Sequence, residues 1–269
     1  MVTKLYKYEF LHYVKSLLPF WLIIPIIAIV NRVIQLFETN NAIFKLIFGS
    51  SIVTFVIAIA VALVMNVITA ITRFYKNLFT AEGYLTMTLP VTVTQHILVK
   101  ITTAVLFTIL TVINVIISLC IVSSGELLVE IIKAIAYTFD AAFKHMGADL
   151  ILLIIEFIVA MLLGLFTSLF TFYTCITVGQ LAKKNRVLMA FGVYFGLSFL
   201  SQIFATAMSI SFAVAPDFYE NLARFIEQNF TGIQVAHLAL IFSIIVYLIG
   251  SVIHFFISKF IMSKKLNLE

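Results

Sequence analysis

Two carboxylates stand where side chains can do chemistry, one inside an apolar run and one in a polar stretch ringed by bases. Glu156 is the one ionisable group set well inside an apolar segment, about 10 Å past Asp149 along a helix. An intramembrane acid there can meet a cationic substrate or line a cavity. The plainer reading, a carboxyl near one end of its span that reaches the interface, weighs more for a lone acid. Glu82 lies between Arg73, Lys76 and Lys100 in a stretch that includes Thr80-Ala81-Glu82-Gly83-Tyr84-Leu85 and Leu89-Pro90-Val91-Thr92. Asn66, Asn114 and Gln202 are amides inside apolar runs, where helix-to-helix hydrogen bonds of about 0.6 to 2 kcal/mol are commoner than substrate contacts.

Other chemistries lack their residues. No glycine is followed five positions later by Gly-Lys, so the chain has no ATPase phosphate-binding loop. His12, His96, His145, His237 and His254 are scattered without zinc-protease spacing, and Gly-x-Ser-x-Gly does not occur. Cys120 and Cys175 have no second thiol or histidine at metal-ligand spacing. The expectation is a non-catalytic chain with no metal and no cofactor of its own.

Composition says what must position these groups. Of 269 residues, 63% are apolar and 11% charged, and the mean hydropathy is +1.16. Those values exclude an ordinary soluble domain and assign lipid as the main solvent. The net charge of +5 then reads as an orientation signal and lipid contact, with no nucleic-acid partner expected.

Apolar runs long enough to cross a bilayer, roughly 20 residues each, fall at about 17–37, 46–72, 99–122, 150–181, 187–214 and 235–261. No small-residue cleavage pattern follows the first, so a retained span is expected there. Between Thr3 and Ser16, Lys4, Lys7, His12 and Lys15 gather on one side and Tyr6, Phe10, Tyr13 and Leu17 on the other. That pattern predicts a helix lying in the membrane interface. Glu126, Glu130, Lys133, Tyr137, Asp140 and Lys144 form one polar stripe at helical pitch, so that segment should also lie on a surface. Pro216 opens another amphipathic helix, which Gly232 should end. Within the 73–98 loop, Thr80 is positioned to cap a short helix with Glu82 in its first turn, and Pro90 cannot continue it. Thr92 and Gln95 have capping-box spacing for the next span.

The expected fold class is therefore all-α: one polytopic transmembrane domain with six transmembrane helices, an N-terminal interfacial helix and two extracellular amphipathic helices. Six crossings put both termini on one face. That face carries Lys4, Lys7, Lys15, Arg73, Lys76, Lys100, Lys183, Lys184, Arg186, Lys259, Lys264 and Lys265 against Glu9, Glu82 and Glu269. The acids otherwise concentrate on the opposite face, so the termini and the 73–98 loop are expected to be cytoplasmic. Arg73 and Lys76 are expected to anchor the second span at lipid headgroups.

Glu82-Gly83-Tyr84-Leu85 followed by Leu89-Pro90-Val91-Thr92 resembles the loop between the second and third spans of ABC-2-type transporter permeases. Arg73-Phe74-Tyr75-Lys76-Asn77, the Gly179-Gln180-Leu181 stretch before Lys183-Lys184-Asn185-Arg186, and the tail Lys264-Lys265-Leu266-Asn267-Leu268-Glu269 are similar to one bacterial branch of that family. The resemblance implies an exporter subunit in the cell membrane, working as a dimer with a second permease copy or paralogue. It also implies a coupling helix at Glu82, Gly83, Tyr84, Leu85, Leu89 and Pro90 that rests on a separate cytoplasmic ATPase subunit, which would bind ATP and Mg. On that reading Glu82 meets a basic partner, while Tyr84 and Leu85 enter an apolar socket. Glu156, Asn66, Asn114 and Gln202 are the candidates along a substrate path. Other classes remain: a membrane immunity or sensor protein that binds a peptide or toxin without ATP, and an ion-coupled carrier using Glu156.

Overall fold

The computed structural model describes residues 2–37, 41–88, 90–123 and 126–264. Leu89 of the polar loop and 265–269 of the basic tail lie outside these. Every described element is a helix: α1 (Val2–Leu36), α2 (Ala42–Phe79), α3 (Ala81–Met87), α4 (Val93–Val122), α5 (Glu126–Met146), α6 (Ala148–Gly179), α7 (Arg186–Val214), α8 (Pro216–Asn229) and α9 (Gly232–Lys264). Six of them, α1, α2, α4, α6, α7 and α9, are long and apolar enough to cross a membrane. They are also exposed over most of their apolar surface, with Leu188, Phe195, Phe204 and Phe242 each more than 60% accessible. Side chains of this kind need an apolar solvent, and six such helices point to a multi-pass membrane protein.

The chain divides into two compact units, Met1–Ala141 and Ala142–Glu269, with the join inside α5. In the first unit α1 packs against both α2 and α4. Ser16 and Thr69 share a hydrogen bond (3.1 Å) and Asn31 donates to the Ser51 carbonyl (3.3 Å), so α1 and α2 run antiparallel. Tyr6 meets Thr102 and Trp21 donates to Thr111 (3.0 Å), so α1 and α4 run the same way. The ring of Phe107 lies 5.0 Å from that of Phe10, 4.9 Å from Tyr13 and 5.6 Å from Trp21, an aromatic stack that sets the α1–α4 spacing. Further along, Ile24 and Ala28 pack on Phe55 and Ala62.

In the second unit α6 is the hub, packed on α7 and on α9. Phe172 stacks on Tyr194 at 5.3 Å. A Cβ at Gly179 would stand 2.8 Å from both Ala190 N and the Arg186 carbonyl oxygen, so only glycine lets α7 fold back this closely. The parallel α6–α9 contact is a polar ladder. Thr167 meets Ser251 (2.8 Å), Thr171 meets His254 (3.3 Å) and Thr174 meets Ser258 (3.2 Å). In lipid, such hydroxyls hold helices together where the hydrophobic effect cannot. Both units share one order of elements: a long helix, an antiparallel second, a short helix, and a third parallel to the first.

Two local expectations change. No separate interfacial helix occupies residues 3–16; α1 is continuous from Val2 to Leu36 and runs through Pro19 and Pro25. At 35 residues it is about 52 Å long, well beyond the ~30 Å hydrocarbon core. Gly232 does not end α8 but opens α9. The end of α8 is Asn229, and Thr231 with Gln234 forms a reciprocal cap ahead of α9.

Candidate functional site

The polar loop folds as a helix–turn–helix–turn set on the end of α2. Thr80 is extended and closes α2; its hydroxyl donates back to the Lys76 carbonyl instead of capping the short helix that follows. The expected short helix is present as α3, with Glu82 in its first turn. After Pro90, the capping box of Thr92 and Gln95 is formed in both directions and starts α4.

Gly83 explains why α3 sits where it does. It is buried, and an added Cβ would stand 2.5 Å from the carbonyl oxygen of Leu78 and 2.7 Å from its carbon. The first turn of α3 therefore lies directly on the last turn of α2, a distance open only to a residue without a side chain. With Gly83 and Thr86 turned inward, Glu82 (61% exposed) and Leu85 (69% exposed) face outward. Pro90 is exposed as well, and Tyr84 takes its place within α3.

Beneath α3 is a charge cluster the sequence reading did not assemble. Glu9 of α1, 1% exposed, takes Lys100 Nζ of α4 on Oε1 at 2.6 Å and Arg73 Nε of α2 on Oε2 at 3.1 Å. Lys100 is itself 2% exposed. Arg73 extends the chain of charges outward, with Nη1 3.8 Å from Glu82 Oε2. Arg73 is thus paired with two carboxylates, while Lys76 is exposed. One carboxylate clasps all three long helices of the unit, and its guanidinium partner leads to the exposed acid of α3. Glu9 shares the buried face of α1 with Tyr13 and Leu17 at intervals of four. An acid in register with a buried apolar stripe is the signal that could have marked it.

The candidate path residues do not form one site. Asn66 donates to Thr108 (2.8 Å), joining α2 to α4, and Asn114 donates to the Trp21 carbonyl (3.3 Å), joining α4 to α1. Both act as helix-to-helix bonds. In the second unit, Glu156 of α6 has a partner: His237 Nδ1 of α9 lies 2.8 Å from its Oε2, with the two side chains 17% and 13% exposed. Gln202 is exposed on α7 and takes no part in that pair. Among the described residues, no three His, Cys, Asp or Glu side chains gather as metal ligands. Cys120 and Cys175 are free thiols.

No protein-family model, no curated protein and no solved structure matches this chain.

Proposed function

We infer that the chain is the membrane-spanning subunit of an ATP-driven ABC-2-type exporter, working as a dimer with a separate cytoplasmic ATPase. The observation that carries the reading is α3, a seven-residue helix pressed onto the end of α2 by Gly83. It presents an acid and a leucine outward, and its acid is linked by charge to the point where α1, α2 and α4 meet. A push on such a helix is transmitted to three spans through Arg73 and Glu9, because neither partner of a buried ion pair can be displaced cheaply. ATP-driven closure of the ATPase pair would tilt those spans and open a path outward between two permease copies. On this reading α5 and α8 lie on the outer membrane surface, both termini are cytoplasmic, and the substrate leaves by alternating access.

The test is partner capture. The double variant E82K/L85D should keep its helical circular dichroism and its elution volume, yet lose an ATPase subunit that co-purifies with the unaltered chain, at least about tenfold. A charge reversal plus a buried polar group at an interface centre accounts for that size. Undiminished capture would remove α3 as the docking element. Absence of any ATPase from the unaltered preparation would favour the immunity or sensor class instead.

The Glu156–His237 pair supports a second reading, an ion-coupled carrier, because an acid and an imidazole in contact within spanning helices can take up and release a proton. Efflux measured over a compound panel separates the two. A carrier stops when the proton or sodium gradient is dissipated with ATP held high, and E156Q abolishes its transport. Efflux that follows ATP and ignores E156Q rejects the carrier.

A further inference from the structure

On the outer side of the α1–α4 contact is a groove of about 620 Å³, within the size range of small-molecule sites. Tyr6 and Thr102, whose hydroxyls share a hydrogen bond (2.9 Å), both line it. Its polarity is graded along the helices. At the end nearest the start of α1 are Thr3 and Lys7, one turn apart on the same face and both exposed. Further along, the walls become Phe10 and Leu11 of α1 and Leu106 of α4, each more than 40% exposed. From Thr3 to Leu11 the helix rises about 12 Å. Lys7 forms no ion pair with any described carboxylate, in contrast to Arg73 and Lys100.

We propose that this groove is a binding site for one anionic phospholipid, with its phosphate on Lys7 and Thr3 and an acyl chain along Phe10, Leu11 and Leu106. Three observations select that occupant. A cation that pairs with no described carboxylate calls for an anion. The change from charged to apolar over about 12 Å follows the long axis of a helix that crosses the membrane, so headgroup and tail lie in the order a leaflet imposes. A soluble anion would use only the Lys7 end and leave the apolar walls uncovered. At 35 residues α1 is longer than the hydrocarbon core requires, and a lysine held near an anionic surface contributes a small attraction. This inference rests on the membrane-spanning reading alone and stands or falls independently of the ATPase.

The experiment uses the full chain in neutral detergent, titrated with phosphatidylglycerol or phosphatidylcholine of identical acyl chains and read by native mass spectrometry. A photoactivatable phosphatidylglycerol then maps the contact. The unaltered chain should retain one phosphatidylglycerol in preference to phosphatidylcholine and crosslink within residues 3–11 and 102–106. K7Q should cut that preference about fivefold and leave phosphatidylcholine retention unchanged. L106W, which fills the groove at an exposed position, should lower retention of both lipids. K15Q, also in α1 but away from the groove, should change nothing. Equal retention of the two lipids, crosslinks elsewhere, or an unaltered preference in K7Q overturns the proposal. A dimer that L106W converts to monomer, with lipid retention unaltered, overturns it in favour of a contact between copies.

Discussion

Replacing Glu9 with glutamine should destabilise the chain by about 3 to 5 kcal/mol, the cost of removing one member of a buried ion pair. Glutamine keeps the size and one acceptor, but Lys100, 2% exposed, and Arg73, 16% exposed, would then face each other's positive charge without a carboxylate between them. Arg73 already has Glu82 as a second partner, whereas Glu9 is the one described carboxylate with which Lys100 forms an ion pair. The measurement is unfolding in mixed micelles followed by far-ultraviolet circular dichroism. The cluster is a clasp, and its worth lies in the cost of breaking it, not in the pair's net energy. E9L/K100M, which removes the central pair together, should therefore be less destabilised than E9Q alone. Two penalties that simply add, or an E9Q protein within about 0.5 kcal/mol of the unaltered chain, would show that Glu9 does not hold the three helices.

The second large effect belongs to Gly83. In an open helix, Gly→Ala gains about 1 kcal/mol of helix propensity, so propensity alone predicts that G83A stabilises α3. The geometry predicts the opposite. A Cβ 2.5 Å from the Leu78 carbonyl oxygen meets backbone that cannot swing aside, and overpacking of this kind costs about 1 to 3 kcal/mol. The clash wins, and α3 should lift from the end of α2. Hydrogen exchange should report it as faster exchange at the amides of Ala81–Met87, with α1 and the middle of α4 unchanged, and G83V should show more of the same. Unchanged or slower exchange in G83A would mean that α3 does not depend on this close approach. If α3 is the ATPase contact, G83A should also weaken capture while Glu82 and Leu85 are both still present, which separates the position of the helix from the identity of its outward side chains.

Some of this architecture is written in one dimension. The six spanning helices are legible because an uninterrupted apolar run of adequate length has few alternatives in lipid, and that property belongs to the run itself. The capping box at Thr92 and Gln95 and the short helix carrying Glu82 are legible for a similar reason, since caps and breakers act over a few residues. Local signals also mislead when a neighbouring helix is decisive. The basic face at Lys4, Lys7, His12 and Lys15 reads as an interfacial helix, yet the opposite side of the same turns carries Glu9, Tyr13 and Leu17 into the packed unit. That packing draws the segment into one continuous α1.

Glu9 marks the limit of the sequence. It lies 64 residues from Arg73 and 91 from Lys100, and Glu156 and His237 are 81 apart. Helical pitch assigns each of these side chains to a face but leaves open which other face it meets. By itself the sequence determined the spanning helices, the Thr92–Gln95 cap and the affinity for lipid, because hydrophobic runs and some end signals act along the chain. Only the tertiary structure decided which charges pair, why position 83 admits no side chain, and where a groove opens beside Lys7. Those follow from how closely separate helices approach, a distance no local pattern contains.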